Sequence, residues 1–200
     1  MHTFGRRARP RVRHGRVQPQ NRIRETPSYW NTRLPDIVID VLRPGRGHRH
    51  VVRKRDVEAF IELIPDWAEL SRGLSAVILD EGGDCDGYYA AGRVIAICAF
   101  ERDLVVDRDA EYVRAHAGIF ERLGVETEPH AEGALVHFTR GTARAFLLLH
   151  VFLHELGHHV DRMTTRSRHD CARGEPFAEA FAFELEERVR AAYFRKIGLD

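Results

Sequence analysis

The amino-acid sequence predicts an α+β domain in which a small, mostly antiparallel sheet packs on two metal-binding helices. Three observations support this prediction. Short runs rich in β-branched residues are interspersed with amphipathic segments, as in domains that combine strands and helices. Residues 143–162 have the pattern of a buried helix that carries several histidines. Residues 175–196 have the pattern of a second helix, rich in glutamate.

The first predicted elements are a strand, its hairpin partner and a helix. Residues 36–42 read as a strand, and residues 43–47 contain the proline and glycines of a turn. Residues 50–52 are expected to return as the hairpin partner of that strand. Asp56 is expected to cap a helix, and Gly73 to end the helical region that follows.

The middle of the chain predicts a second hairpin. Residues 75–79 and 88–99 form its strands, and residues 80–87 form an acidic, glycine-rich turn. Four carboxylates of this turn offer oxygen ligands for calcium, but they lack the spacing of a known calcium loop. These are Asp80, Glu81, Asp84 and Asp86.

The elements before the histidine-rich helix are a helix, a loop and a strand. Residues 105–123 contain an amphipathic helix that Gly124 closes, and residues 126–133 form a polar loop. Residues 134–138 are expected to form a strand. Thr139 or Thr142 then caps the next helix.

That helix, residues 143–162, contains the motif H-E-L-G-H at residues 154–158. With 3.6 residues per turn, His154 and His158 lie one turn apart on one face and can reach a single ion. Neutral imidazoles suit zinc, and a third protein ligand plus a water completes a catalytic tetrahedron. Glu155, beside these histidines, can take a proton from that water as general base.

The surroundings of the motif favour a metal site. Residues 145–153 are apolar apart from His150, so the helix is expected to be buried and its polar groups must find partners. Gly157 indicates that another backbone or a ligand comes close. The alternative interpretation is a helix whose histidines form ordinary hydrogen bonds. His150 lies about 12 Å before His158 along the helix, so we expect it behind the metal or in the core.

The last predicted helix, residues 175–196, supplies candidates for the third ligand. Glu175 and Glu179 lie four residues apart on one face, and the apolar residues beside them predict that this face is buried. Glutamates on helices are usually solvated, and we interpret three later ones in this way: Glu184, Glu186 and Glu187. The 16 residues between His158 and Glu175 are enough for a turn and an antiparallel return.

In these two motifs the chain resembles the gluzincin metallopeptidases, in which two histidines of one helix and a glutamate of the next bind zinc. It is most similar to their lethal-factor-like branch, through H-E-L-G-H-H-V-D at residues 154–161 and E-P-F-A-E-A-F-A at residues 175–182. A looser similarity covers residues 75–195 and includes G-Y-Y at residues 87–89, ahead of the strand at residues 94–97. The resemblance implies a minimal zincin-like fold.

The resemblance also implies the roles of individual residues. It implies Zn²⁺ held by three ligands, His154, His158 and Glu175. Glu155 would be the base. Because the first glutamate of the pair ligates in this family, Glu179 would accept the free ring N–H of a ligating histidine, with Asp161 as a lesser candidate for such a contact. A peptide or protein substrate would pair with an edge strand of the sheet.

The sequence departs from the family pattern in one respect. Related enzymes often place a tyrosine or histidine donor where the substrate oxyanion develops, and no tyrosine lies between His159 and Glu175. His169 is a candidate for this role, although it is equally interpreted as a loop residue. Tyr88 and Tyr89 are further candidates.

Charge is distributed unevenly along the 200 residues. Residues 1–55 contain 15 lysines and arginines against 3 acids, and residues 56–200 contain 16 against 27. Because residues 1–31 have few apolar side chains, they are predicted to be a disordered basic arm before a single domain at residues 32–200. Residues 1–55 either contact nucleic acid or another polyanion, or the arm is a solvated tail.

Cysteine spacing and hydropathy predict a cytoplasmic location. The cysteines are odd in number and contain no C-x-x-C pair, which argues against a disulfide framework and for a reducing compartment. No apolar run approaches the length of a membrane-spanning helix, so no membrane partner is expected. No apolar export segment follows the arginine pair at residues 6–7.

Together these features predict zinc-dependent hydrolysis of peptide bonds, with Glu155 activating the zinc-bound water. One alternative is a zinc-binding sensor or regulator of the same fold that has lost catalysis. The other is a nucleic-acid-associated protein that acts through the basic arm. Glu155 favours the enzyme over the regulator, because a purely structural zinc site does not need that carboxylate.

Overall fold

The computed structural model describes residues 28–165 and 171–199, together with two short strands near the N terminus. These strands, β1 (Val12–Arg13) and β2 (Arg16–Val17), pair antiparallel. Most of residues 1–31, for which disorder was predicted, lies outside the described residues, and so does His169.

The remaining elements follow in chain order. The strands are β3 (Val38–Val41), β4 (His48–Arg49), β5 (Ala76–Asp80), β6 (Gly87–Ala90), β7 (Val94–Cys98), β8 (Phe100–Glu101), β9 (Val105–Asp109), β10 (Glu126–Pro129) and β11 (Gly133–His137). The helices are α1 (Lys54–Ile61), α2 (Trp67–Leu70), α3 (Ala110–Leu123), α4 (Arg140–Phe146), α5 (Leu153–Thr164) and α6 (Gly174–Lys196). A π-helical segment, Leu147–Phe152, joins α4 to α5.

The largest sheet has the strand order β3-β5-β7-β6. Its first two strand pairs are parallel, and β6 pairs antiparallel with β7 at the edge. The coarse prediction of helices combined with small sheets is confirmed, but the prediction of a mostly antiparallel sheet against the metal-binding helices is wrong. The chain crosses through α1 and α2 between β3 and β5, so these strands run in the same direction. The apolar runs of β5 and β7 are buried, as is usual for parallel strands.

The predicted hairpin between residues 75–79 and 88–99 is also wrong. Residues 88–99 contain two strands, and these form the hairpin with each other around a turn at residues 91–93. Ala91 and Gly92 have φ angles of 51° and 65° in this turn. β5 lies on the other side of β7 and runs parallel to it. β6 therefore becomes an edge strand of the sheet.

Two smaller antiparallel sheets correct two further predictions. β10, β11 and β9 form one sheet, so residues 126–129 are a strand and not part of a loop, while the strand predicted at residues 134–138 is confirmed as β11. β4 pairs with β8, so residues 50–52 are not the hairpin partner of residues 36–42. Val51 and Val52 are instead buried in the core, at 1% and 2% exposure.

The histidine-rich helix consists of α4, the π-helical segment and α5, and its backbone stays helical through both junctions. Its predicted cap at Thr139 is confirmed, because the Thr139 hydroxyl accepts the backbone N–H of Thr142 at 3.1 Å. The side chains of the π-helical segment are buried. Such segments interrupt α-helices frequently at functional sites.

The other helix ends agree with the sequence in part. Gly124 ends α3 with a φ of 65°, and α6 covers the predicted span of the last helix. Asp56 is not the cap of α1. Arg53 holds that position, and the Asp56 carboxylate in the first turn accepts the Arg53 N–H at 2.8 Å.

Helix α5 contacts the sheet through β6 and β7, and α6 packs on α5. The two helices meet at Gly157, where a Cβ atom would lie 2.8 Å from Cα of Ala178. The close backbone approach predicted at this glycine is therefore confirmed. Within residues 28–165 and 171–199, no helix combines the length and apolar character needed to cross a membrane.

Candidate metal centre

The two histidines of the H-E-L-G-H motif meet on one face of α5. Nε2 of His154 lies 3.1 Å from Nε2 of His158. Both side chains are mostly buried, at 18% and 11% exposure. The helix therefore presents two imidazole nitrogens to one point in space.

Glu175, in the first turn of α6, brings a carboxylate to the same point. Its Oε2 lies 3.0 Å from Nε2 of His154, and its Oε1 lies 3.3 Å from Nε2 of His158. One ligand atom of each residue lies within 4.8 Å of the others. In the described part of the chain, no other group of three potential ligands converges in this way. The Glu175 side chain is 77% exposed, so the site opens towards solvent.

The chemistry of these donors fits a cation. Nδ1 of His154 lies 3.2 Å from a carboxylate oxygen of Glu179, so Nδ1 carries the proton in the neutral ring. The lone pair of His154 Nε2 then faces the Glu175 carboxylate, and two acceptors at 3.0 Å need a proton or a metal ion between them. Two imidazole nitrogens and one carboxylate oxygen are a common protein ligand set for catalytic zinc.

The charges around His154 also favour a positive group. Burial lowers the pKa of His154, but the hydrogen bond to Glu179 and the charges of Glu155 and Glu175 raise it, and the net pKa lies above the usual value. Burial lowers the pKa of His158, whose Nδ1 has no hydrogen-bond partner among the described residues. Glu179 therefore holds the His154 ring at Nδ1, whereas no such contact to Nδ1 of His158 occurs among the described residues.

Glu179 lies behind His154, one turn after Glu175 on α6. Its hydrogen bond to His154 keeps the pKa of Glu179 low. Its Oε2 also lies 4.0 Å from Nε2 of His150, which is 6% exposed within the π-helical segment. The structure thus places His150 behind the site, next to Glu179 and outside the group of converging ligands.

Asp161 was a lesser candidate for accepting the ring N–H of a ligating histidine, but its contacts are with other groups. It is fully buried, and its carboxylate accepts the backbone N–H groups of Arg173 and Gly174 at 2.8 and 3.1 Å and the Nε–H of Arg173 at 2.8 Å. Burial raises the pKa of Asp161, but these hydrogen bonds lower it by more. The carboxylate therefore contacts the residues that precede α6.

The geometry of these residues is the basis for any statement about function. No family model, curated protein or solved structure matches the chain. The motif resemblance to gluzincins therefore stays a resemblance, and the convergence of His154, His158 and Glu175 is an observation independent of it.

Glu155 lies between the histidines and the sheet. It is 8% exposed, and burial raises its pKa to about 7, with Glu175 adding to the rise and His154 and the Tyr89 backbone N–H opposing it. Gly87 of β6 packs beside this side chain: a Cβ at Gly87 would contact Glu155 Cγ at 3.6 Å, but it would clash with Val151 Cγ1 at 2.5 Å and with the Ala96 carbonyl oxygen at 2.8 Å. A carboxyl with a pKa near neutrality can both accept and donate a proton at physiological pH.

An open groove passes the site along β6. It consists of two adjoining hollows of about 750 and 510 Å³. Four residues line both hollows: Gly87, His154, Glu155 and Glu175. The converging ligands therefore lie at the middle of the groove, with room for an extended ligand on either side.

The far wall of the larger hollow contains a network that the sequence did not indicate. Asp86 accepts hydrogen bonds from Arg108 at 2.6 Å and from the Tyr112 hydroxyl at 2.5 Å, and the Arg108 guanidinium lies 4.7 Å from the centre of the Tyr112 ring. The sequence signals only the acidic turn that contains Asp86. Two acids of this turn thus bond within the protein, Asp86 to Arg108 and Tyr112 and Asp80 to Tyr88, and the turn supplies no converging group of three ligands among the described residues.

The three candidate oxyanion donors have different positions. The Tyr88 hydroxyl donates to Asp80, and the Tyr89 hydroxyl lies 3.0 Å from Nδ1 of His159. His159 Nε2 lies 3.2 Å from the Arg72 carbonyl oxygen, so Nε2 carries the proton and Nδ1 accepts from Tyr89. Both tyrosine side chains therefore bond within the protein. His169 lies outside the described residues.

Proposed function

We propose that this protein is a zinc-dependent peptidase with a zincin-like fold. The observation that carries the proposal is the convergence of His154, His158 and Glu175 at the middle of an open groove, with the buried carboxyl of Glu155 beside them. A structural zinc site is normally closed by four protein ligands, whereas three ligands and an open side are typical of catalytic zinc. The proposal includes the cytoplasmic location predicted from the cysteines.

The residues of the site have separate roles in this proposal. His154, His158 and Glu175 would hold zinc, which would polarise a substrate carbonyl and lower the pKa of the attacking water. Glu155 accepts the proton of the attacking water and passes it to the leaving amine. Its raised pKa suits both steps, because the group is neither a strong acid nor permanently ionised near neutral pH.

The substrate in this proposal is a peptide or protein segment in extended conformation. β6 ends the strand order of the largest sheet, so its outer edge can pair with another strand. Gly87 of this strand lines both hollows of the groove. A peptide paired with β6 would therefore pass directly beside Glu155.

A zinc-binding regulator without catalysis is the second candidate. The observation that favours it is that the hydroxyls of Tyr88 and Tyr89 bond to Asp80 and His159, which leaves the oxyanion donor of the related enzymes unassigned. The polyanion-binding role of residues 1–55 stays a sequence prediction, because residues 1–11, 14–15 and 18–27 lie outside the described residues.

Two measurements on the purified full chain test the proposal. Elemental analysis should find about one zinc per chain, and His154→Ala should lose it. Cleavage of a mixed peptide library, followed by mass spectrometry, should give zinc-dependent products with the wild type and none with Glu155→Gln at equal zinc content. Glu184→Gln on the exposed face of α6 is the matched control and should behave as the wild type.

The outcomes separate the two candidates. Zinc bound without any cleavage, by the wild type and Glu155→Gln alike, would reject the peptidase and favour the regulator. Absence of zinc after metal repletion would reject both. If the peptidase is correct, Glu155→Gln expressed in its native cell should retain uncut substrates, which can be identified after co-purification.

A further inference from the structure

One buried carboxylate fixes the connection between the two helices of the site. Asp161 lies on α5, three residues after His158, and is fully buried. One of its oxygens accepts the backbone N–H groups of Arg173 and Gly174, and the other accepts the Nε–H of Arg173. Glu175 follows Gly174 directly in the chain. We call this set of three hydrogen bonds the Asp161 cap.

We propose that Asp161 is the positioning residue for Glu175: the Asp161 cap fixes the backbone in front of Glu175 and so places its carboxylate against His154 and His158. This inference rests on the proposed function, because it requires Glu175 to bind the metal. It assigns Asp161 a role different from contact with a ligating histidine.

Glu175 depends on its backbone for its position. Its side chain is 77% exposed, so few packing contacts hold the carboxylate in place. The start of α6 also lacks a side-chain cap of its own, because Arg173 occupies the N-cap position without such a bond. The Asp161 carboxylate, which comes from the neighbouring helix, accepts the Arg173 N–H and shares the Gly174 N–H with the Cys171 carbonyl oxygen, which lies 3.0 Å from that nitrogen. It therefore takes the place of a side-chain cap at the N terminus of α6.

Arg173 extends the Asp161 cap to both helices. Its Nη2 donates to the Thr164 hydroxyl at 2.5 Å, at the end of α5. Its guanidinium lies 3.5 Å from the centre of the Phe177 ring, in the first turn of α6. The contacts that connect the end of α5 to the first turn of α6 therefore lie between Asp161 and Phe177 and involve no metal.

The first test compares Asp161→Asn with a matched control, Glu186→Gln. Glu186, which the sequence was interpreted to place in solvent, is 2% exposed instead, because its carboxylate pairs with Arg122. It is therefore also a buried carboxylate, on α6 itself. Competition with a chromophoric zinc chelator should show about 10-fold weaker zinc binding in Asp161→Asn, the range found for residues that orient metal ligands. Glu186→Gln should lower thermal stability and leave zinc affinity at the wild-type value.

The second test introduces Asp161→Asn, with Glu186→Gln as its control, into a protein that also carries Glu175→Ala. If Asp161 acts through Glu175, then Asp161→Asn should weaken zinc binding no further once Glu175 is absent. An equal loss of affinity in both backgrounds would overturn the inference, because it would mean that Asp161 acts on the histidines or on overall stability. If Glu175→Ala leaves zinc affinity unchanged, the ligand set of the proposed function is wrong.

Hydrogen exchange in the metal-free protein tests the Asp161 cap without reference to zinc. Asp161→Asn should speed exchange at the amide of Arg173, and less at that of Gly174, which also donates to the Cys171 carbonyl oxygen, and it should leave the amides near Glu186 unchanged. Unchanged exchange at these two amides would overturn the inference even if zinc affinity fell. Should Asp161→Asn fail to fold, Arg173→Gln removes only the side-chain contacts, and it should give a smaller loss of zinc affinity that again requires Glu175.

Discussion

Glu179 holds His154 from behind: its carboxylate lies 3.2 Å from Nδ1, on the side of the ring opposite the nitrogen that faces Glu175. The two glutamates of α6 thus contact the two nitrogens of one imidazole. A carboxylate at Nδ1 fixes the tautomer and the orientation of the ring, and it makes Nε2 a better ligand. Glu175 and Glu179 therefore contribute to metal binding in different ways.

Loss of Glu175 should weaken zinc binding more than loss of Glu179. In the proposed site Glu175→Ala would remove one of three protein bonds to zinc, and we expect zinc affinity to fall by more than about 100-fold. Glu179→Ala should lower zinc affinity by about 10- to 100-fold. Titration of both variants against a zinc chelator measures the difference, with Glu184→Ala as the surface control. A larger effect of Glu179→Ala would mean that the roles of the two residues are exchanged.

The contribution of Glu155 to the stability of the metal-free protein should fall as pH rises from 4.5 to 7. Burial raises the pKa of Glu155 from 4.5 to about 7, so in this window the unfolded chain has released a proton that the folded chain still holds. Glu155→Gln has no ionisable group at this position. Its free energy of unfolding, relative to that of the wild type, should therefore increase across the window by up to about 3 kcal/mol. Urea unfolding of both proteins at pH 4.5 and pH 8 in the presence of a chelator measures the change.

Zinc provides the control for this pH dependence. A divalent cation beside Glu155 favours its ionised form, so saturation with zinc should reduce the difference between the two proteins. A constant difference between wild type and Glu155→Gln at all pH values in the metal-free state would show that the Glu155 carboxyl is not held neutral by burial.

The local parts of the site followed from the sequence because helical spacing alone determines them. The 3.6-residue period places His154 and His158 on one face, and Gly157 inside a helix indicated the close approach of another backbone, which is that of Ala178. Helix caps such as Thr139 depend on residues three positions apart. These relationships need no knowledge of the rest of the fold.

The pairing of strands could not be predicted in the same way. Val51 and Val52 have the pattern of a strand, yet both side chains are buried in the core and neither residue pairs as a strand. The strand just before them, β4, pairs with β8, about 50 residues further along the chain. The network of Asp86, Arg108 and Tyr112 connects the turn before β6 with β9 and α3. In the sequence, each of these residues looks like an ordinary surface residue. Register and long-range polar contacts depend on packing that the local sequence does not encode.

His159 should make the protein sensitive to acid. Burial lowers its pKa to about 4, with the charges of Arg162 and Arg33 adding to the effect and the hydrogen bond to the Arg72 carbonyl opposing it. Between pH 6.5 and 4 the unfolded chain therefore binds a proton that the folded chain does not, and stability falls as pH falls. His159→Gln should reduce this loss by up to about 3 kcal/mol.

Urea unfolding of metal-free wild type and His159→Gln at pH 7 and pH 4.5 gives the measurement. His150, whose pKa burial also lowers to about 4, remains in both proteins and cancels in the comparison. The same pH dependence in both proteins would contradict a neutral, buried His159.

The contact between α5 and α6 leads to the last prediction. A Cβ at Gly157 would lie 2.8 Å from Cα and 3.0 Å from O of Ala178, and neither backbone atom can move without shifting α6. Gly157→Ala should therefore destabilise the protein by about 1–3 kcal/mol, despite the better helix propensity of alanine.

The same substitution should weaken zinc binding, because a shift of α6 carries Glu175 and Glu179 away from His154. Gly118→Ala in α3 is the matched control, since its Cβ would meet only Nη1 of Arg122, at 3.1 Å, whereas Nε and Nη2 are the nitrogens that bond Glu186. It should stabilise the protein by up to about 1 kcal/mol and leave zinc affinity unchanged. Thermal unfolding and chelator competition on both variants distinguish the two sites. If Gly157→Ala binds zinc as tightly as Gly118→Ala, then the distance between the helices does not control the position of the third ligand.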